Sequence, residues 1–269
     1  MTATTYPTTP ARPVRATSTT RALKAEWTKL RTLPSTWRTT VMATSIAIGM
    51  SAAVVASQVS QWHSLTAQQR LTFDAASASM SGVMVAALLL GALAVRTVTA
   101  EYATGMIRST FTAMPGRRRV LAAKAATVAA FVFPVTLLCD VVGFGVGQRI
   151  FAGKHLQVTA GHPGVIQAMI FGAVAVSLIA VVGVGLGGVI RHTAGATTAL
   201  SLIVVGGLLF DQFVPAGLRR FLPATALQAA VTVHRSAGLL RHGPAVVILG
   251  VYAAVALGAA SIRVAHRDA

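Results

Sequence analysis

Six stretches of this chain run for about twenty residues with almost no charge, and no other feature constrains the fold as strongly. They cover residues 39–57, 78–95, 125–147, 165–190, 195–214 and 244–264. A helix needs about 20 apolar residues to cross the ~30 Å of hydrocarbon in a bilayer. Backbone amides find no water there, so a spanning segment must be a helix or part of a closed barrel. Barrel strands are about half as long and alternate in polarity, and these runs do not alternate. The pattern predicts an all-α polytopic membrane protein with six transmembrane helices.

Charge supports the same reading. The chain carries 23 Lys and Arg against 6 acidic residues, a formal charge of +17, although it is 54% hydrophobic and only 11% charged. A nucleic-acid binder would spread such charge over a water-facing domain. Here the basic residues cluster between uncharged runs, as in segments held on the cytoplasmic side against anionic lipid. No nucleic-acid partner is expected. With the N-terminus inside, sixteen of the 23 basic residues fall in cytoplasmic segments and seven outside. This asymmetry places both termini in the cytoplasm of a multi-pass cell-membrane protein.

Residues 1–20 are rich in Thr, Pro and Ala, show no periodicity, and read as a disordered cytoplasmic tail. The first apolar core begins too late for a signal peptide. Residues 21–38 read as an amphipathic interfacial helix. Leu23, Trp27 and Leu30 recur at i, i+4 and i+7, with Lys24, Lys29 and Arg31 on the other side. Trp27 is expected to anchor the helix in the inner interface among membrane lipids, and Pro34 to end it. Residues 39–269 hold the six spans. Residues 221–233, "FLPATALQAAVTV", are apolar but too short to span, and predict an interfacial or re-entrant helix on the outer side. The pairs Gly143/Gly147 and Gly183/Gly187 have the spacing of close helix contacts. Pro134 predicts a kink in the third span.

Few side chains could carry chemistry. The chain has two glutamates and four aspartates. No zinc-binding HExxH pattern is present, and "AGKH" at 152–155 lacks the earlier Gly and following Ser or Thr of a phosphate loop. The seven His fall in loops or near span ends, which leaves no Ser–His–acid arrangement in the bilayer. Cys139, the lone cysteine, reads as a small packing residue. Catalytic, cofactor and metal sites are therefore not expected in this chain. Asp140 and Asp211 lie in apolar context near the outer ends of the third and fifth spans. Each either contacts cargo or a proton along a pathway, or reaches headgroup water or caps a helix end.

The connection between the second and third spans reads "AEYATGMIRSTFTAMPGRRRVLAAK", residues 100–124. Thr104 is placed to N-cap a short helix, with Gly105 loosening the turn. Ile107, Phe111 and Met114 then form its apolar edge, and Pro115-Gly116 stops it. Arg117, Arg118 and Arg119 fall at the membrane surface, and Lys124 has room to snorkel. Such a helix suits a groove on another protein, or lies flat on the inner leaflet.

This loop resembles the first cytoplasmic loop of the type-2 ABC transporter permeases. The resemblance rests on Glu101, Thr104, Gly105, Arg108, Pro115, Arg117, Arg118 and Lys124, with Met106 where that family more often has Thr. The segment "RALKAEWTKLRTLPSTW" is similar to the family's elbow helix. The resemblance implies a coupling helix docking on a separate ABC ATPase subunit, which would bind ATP and Mg. It also implies a homodimer or heterodimer with a second permease, and the role of membrane subunit in an ATP-driven exporter. A proton-coupled secondary transporter, with Asp140 or Asp211 as carrier, and a non-transporting scaffold are the alternatives. The reading makes Phe111→Asp diagnostic. A carboxylate in an apolar docking groove costs on the order of several kcal/mol, so ATPase co-purification and cargo efflux should be lost while membrane insertion persists. Normal efflux in this variant would show that the loop is not the coupling element.

Overall fold

A computed structural model describes residues 19–107, 109, 116–209, 213–233 and 238–266. All regular structure among the described residues is helical. Helix α1 (Thr19–Thr32) ends where Leu33 turns extended, at φ −78° and ψ 114°. Helix α2 (Pro34–Ser60) begins on Pro34, whose missing N–H is free of cost in a first turn. After a short 3₁₀ turn come α3 (Ala67–Leu71), closed by a Thr66/Gln69 capping box, and α4 (Ala75–Ser79), capped by Asp74. The chain continues through α5 (Val83–Ala103), α6 (Arg117–Ala152), α7 (Val165–Ile190) and α8 (Thr193–Leu209). It ends with α9 (Ala216–Arg219), α10 (Pro223–Val231) and α11 (His242–His266).

Among the described residues, five helical segments are long and apolar enough to cross a bilayer: α2, the α4–α5 pair (Ala75–Ala103), α6, α7 and α11. Helix α8, over the fifth apolar run, is apolar but has only 17 residues, so the described residues do not supply the sixth spanning helix at full length. Several helices outrun their apolar cores. Helix α6 has 36 residues, about 54 Å at 1.5 Å per residue, because the Arg-rich turns at its start are good helix formers that hydropathy does not register. It continues through Pro134.

Helix α7 is the most enclosed of the five, and α5, α6, α8, α10 and α11 all pack on it. Gly183 and Gly187 let it do so. A Cβ on Gly183 would lie 2.7 Å from Gly91 O, and one on Gly187 3.0 Å from Val95 O. The spacing thus marks a close α5–α7 contact, as expected. Helices α2 and α11 are the least enclosed. Met42, Ile46 and Met50 on α2, and Val247, Val251 and Val255 on α11, turn outwards at four-residue intervals. Helix α10 does not lie exposed on the surface of the bundle. Seven of its residues, from Pro223 to Val231, are buried against α7, α8 and α11. Its short apolar run is absorbed into the bundle, which is the only place a two-turn helix apolar on most sides avoids water.

The second span is broken between α4 and α5, and Gly82 is the reason the break packs. A Cβ there would come 2.0 Å from Ala47 O on α2, while its own N–H donates to Ser51 Oγ at 2.9 Å. Gly82→Ala must push α2 away, a kind of overpacking that typically costs about 1–3 kcal/mol. Its Tm in detergent should fall clearly below that of Gly49→Ala, which adds its methyl to open space on α2. Equal Tm values would refute the tight α2–α5 crossing.

Candidate functional site

The chain's only two glutamates meet inside the bundle. On α1 the buried stripe is Ala22, Glu26 and Leu30: Leu30 is as expected, and Ala22 and Glu26 take the places of their neighbours Leu23 and Trp27. Leu23 is half-buried and Trp27 is 37% exposed, with its ring edge-on to Phe131 at 6.5 Å. Trp27 thus sits on a protein aromatic at the rim of the bundle. Glu101 comes from the last turn of α5, and Lys124 from the third turn of α6. Lys124 Nζ donates to Glu26 Oε2 at 2.5 Å and to Glu101 Oε1 at 2.9 Å. Lys29 Nζ donates to Glu26 Oε1 at 2.9 Å and to Glu101 Oε1 at 2.8 Å. Two ammonium groups and two carboxylates therefore tie α1, α5 and α6 together.

This arrangement corrects two expectations. Lys124 does not snorkel; it is 4% exposed. Lys29 does not belong to an outward basic face; it turns in to bridge both carboxylates. The physical reason is shared: a buried carboxylate needs a cation, and these are the ones within reach. Burial pushes the Glu26 carboxyl up, but Lys124 and then Lys29 more than offset this and hold it below its usual range. For Lys29, burial pulls the ammonium down, while hydrogen bonds to Glu101 and Glu26 hold it above its usual range.

Beside the cluster lies a cavity of about 320 Å³. Its walls are largely apolar, from Leu30, Leu33, Leu93 and Val128, and its polar lining includes Arg96 and the four cluster residues. Glu101 Oε2 is buried and has no hydrogen-bond partner among the described residues.

The loop after Glu101 departs from expectation at its start. Thr104 is the C-cap of α5, not the N-cap of a new helix, and its hydroxyl donates to Ala100 O at 2.8 Å. Gly105 follows at φ +70°, the left-handed residue that ends a helix. Ile107 is buried at 7% exposure, so its side chain does not stand on an outward edge. It packs near Val98, Tyr102, Val120 and Leu121. Arg108, Phe111, Met114 and Pro115 lie outside the described residues. Gly116 opens α6, and Arg117 Nη1 donates to Val264 O of α11 at 3.2 Å. Arg118 and Arg119 are exposed.

Asp140 is buried at 3% exposure, and its Oδ2 has no hydrogen-bond partner among the described residues. It neither reaches headgroup water nor caps a helix. It sits in close packing beside Gly172 of α7, where an added Cβ would lie 3.2 Å from Oδ2. Thr136, one turn earlier on α6, is also buried, and its hydroxyl has no hydrogen-bond partner among the described residues. Asp211 lies outside the described residues. Among the described residues no group of three or more His, Cys, Asp or Glu could hold a metal ion.

Sequence reasoning missed Glu26 and the Glu26–Lys124 contact. The signal was present: a glutamate at i+4 between Ala22 and Leu30, in a chain with only one other glutamate.

Described residues that are helical throughout their regular structure, with five apolar helices of spanning length among them and both glutamates ion-paired inside, define a multi-pass membrane protein. Residues 22–208 match the family described as ABC-2 family transporter protein, and the chain belongs to that family, a membrane component of ABC transporters. The match runs from α1 into α8 and leaves α9 to α11 outside it. No curated protein matches the chain.

Removing one partner of a buried ion pair typically costs about 3–5 kcal/mol. Lys124→Met should therefore lower thermal stability strongly, and Lys29→Met less, because the Lys29 side chain is 34% exposed. Glu26's contribution is present above the ordinary carboxylate range and lost as pH falls through its depressed value. That of Lys29 is present below the ordinary lysine range and lost as pH rises through its raised value. The Tm of the wild-type chain should be flat around neutrality and fall at both extremes. Lys29→Met should blunt the alkaline fall; an unchanged profile would refute the assignment.

Proposed function

We propose that this chain is the membrane subunit of an ATP-driven ABC exporter, paired with a second permease and two ATPase subunits that bind ATP and Mg. In this reading both termini are cytoplasmic, α1 is the elbow helix, and α8 with the residues beyond it makes the sixth span. The loop between Glu101 and Arg117 is the coupling element, and ATP hydrolysis occurs on the partner. The observation that carries the reading is the ion-pair cluster. Glu101 stands just before that loop and Lys124 about two turns into the helix after it; the two pair with each other and, through Lys29 and Glu26, with α1. A push on the loop is delivered at once to three helices, which is what coupling to an external engine requires. Cluster energetics make this a joint rather than a spring, since breaking any one contact strands a buried charge.

A proton-driven transporter is the second reading, favoured by the buried carboxyl of Asp140, whose Oδ2 has no hydrogen-bond partner among the described residues. One experiment separates the two. The chain should co-purify with an ATPase carrying a phosphate-binding loop, and efflux should stop when that ATPase loses its loop lysine. Efflux that survives this change but collapses with a protonophore, or with Asp140→Asn, would establish the proton-driven reading instead. The topology is checked on intact cells. In a Cys139→Ser background, cysteines placed at Ala3 and Ala269 should resist an impermeant thiol reagent, and labelling of either would overturn it.

A further inference from the structure

We propose that a second cavity, between α7, α10 and the start of α11, is a binding site for a small soluble organic monoanion with an apolar body. This inference is independent of how transport is driven.

The cavity measures about 550 Å³, inside the range of roughly 300–1,000 Å³ usual for small-molecule sites. It lies at the end of the bundle away from the ion-pair cluster. Phe171 lines it, whereas Gly188, which borders Glu101 and Lys124, is about 25 Å further along α7 at 1.5 Å per residue. Contacts between the three helices hold its walls. His242, which opens α11, stacks on Phe171 of α7 with ring centroids 5.3 Å apart, and its Nε2 meets Thr232 O, just past α10, at 2.8 Å. A carbonyl only accepts, so Nε2 carries the proton and donates. The Thr232 hydroxyl donates to Gln228 O at 2.8 Å. His242 and Thr232 thus spend polar atoms inside the fold.

Two other polar residues that line the cavity do not. Gln167, one turn before Phe171, and Arg241 are both exposed, and neither side chain has a hydrogen bond or ion pair with any described residue. No described lining residue is acidic. The Arg241 guanidinium is therefore an unmatched fixed charge beside apolar walls from Phe171, Leu239, Leu240 and Pro244. An anion answers the charge, and the Gln167 amide offers a further N–H donor. The walls favour a body that gains by leaving water. A carboxylate on a short apolar stem meets both requirements. The volume equals roughly eighteen waters at ~30 Å³ each, room for a small molecule and not for a two-chain lipid.

The test is photoaffinity labelling of the full chain in phosphatidylcholine nanodiscs with p-azidophenylbutyrate, mapped by peptide mass spectrometry. The corresponding amide is the uncharged probe. The carboxylate should label residues 165–171 and 239–244, saturably and with displacement by excess phenylbutyrate. The amide should label them about tenfold less, because a charge-assisted bond is lost. Arg241→Gln should bring the carboxylate down to the amide's level with an unchanged elution profile. Gly243→Phe is the second variant. Gly243 lines the cavity and a Cβ there meets nothing within 4 Å, so the ring has room to enter, and labelling by both probes should be lost. Gly250→Phe, whose Cβ also meets open space, lies outside the cavity lining and should label as the wild type does. Equal labelling by carboxylate and amide, or undiminished labelling of Arg241→Gln, would overturn the proposal. So would labels that map to other segments. Displacement by phosphatidylglycerol added to the nanodisc would assign the cavity to a membrane lipid and overturn the soluble ligand.

Discussion

A buried charge is costly without a partner of opposite sign, and the four-membered cluster of Glu26, Lys29, Glu101 and Lys124 ties three helices of this bundle together. Glu26 alone would be expelled from the face of α1 that packs on the bundle; so would Lys124 from the third turn of α6. Together they are held at 2.5 Å, and both lysines converge on Glu101 Oε1. The register of α1 against α6, and of α6 against the end of α5, follows from that convergence. Its shared acceptor also makes the cluster cooperative: the removal of one member alters every remaining contact.

The bundle around the cluster is built by a different force. In lipid, apolar side chains gain little by leaving one oily surface for another, so close backbone approach carries helix association. Gly183 and Gly187 bring α7 against carbonyl oxygens of α5, and Gly82 brings the α4–α5 break against α2. These contacts are short-ranged and tolerate no added methyl. The ion pairs fix which helices meet at one end, and the glycines fix how closely they run.

Much of this was legible in the sequence, for a physical reason. Hydropathy reports the solvent directly, so the helical membrane class was legible, the spans at 165–190 and 244–264 could be placed within a few residues, and the glycine spacing announced a close helix contact. What hydropathy cannot report is where a helix stops once its residues turn polar. Helix α6 therefore extends well before residue 125, and α5 absorbs Thr104 as its cap instead of yielding it to the next helix. Helicity follows propensity there, not polarity. Periodicity also misjudged α1, because a stripe containing a glutamate reads as a polar face unless its partner is known. Trp27, Leu23 and Leu30 suggested the correct helix, but Ala22 and Glu26 are buried in place of Leu23 and Trp27. Asp140 shows the opposite limit: its surroundings come from α7, far away in the chain, and no local pattern distinguishes a carboxyl at a helix end from one sealed in packing.

Pro134 gives α6 an uneven stiffness. The arm from Arg117 is pinned at Lys124 by two carboxylates, whereas the arm beyond carries Thr136 Oγ1 and Asp140 Oδ2, buried oxygens with no hydrogen-bond partner among the described residues. Between them, Pro134 has no N–H to offer the carbonyl of Ala130, so one rung of the helical ladder is missing. The two arms are thus joined at the weakest turn of the rod. Torque applied near Lys124 would be spent first as bending at that turn, and only what remains would reach the carboxyl one and a half turns further on.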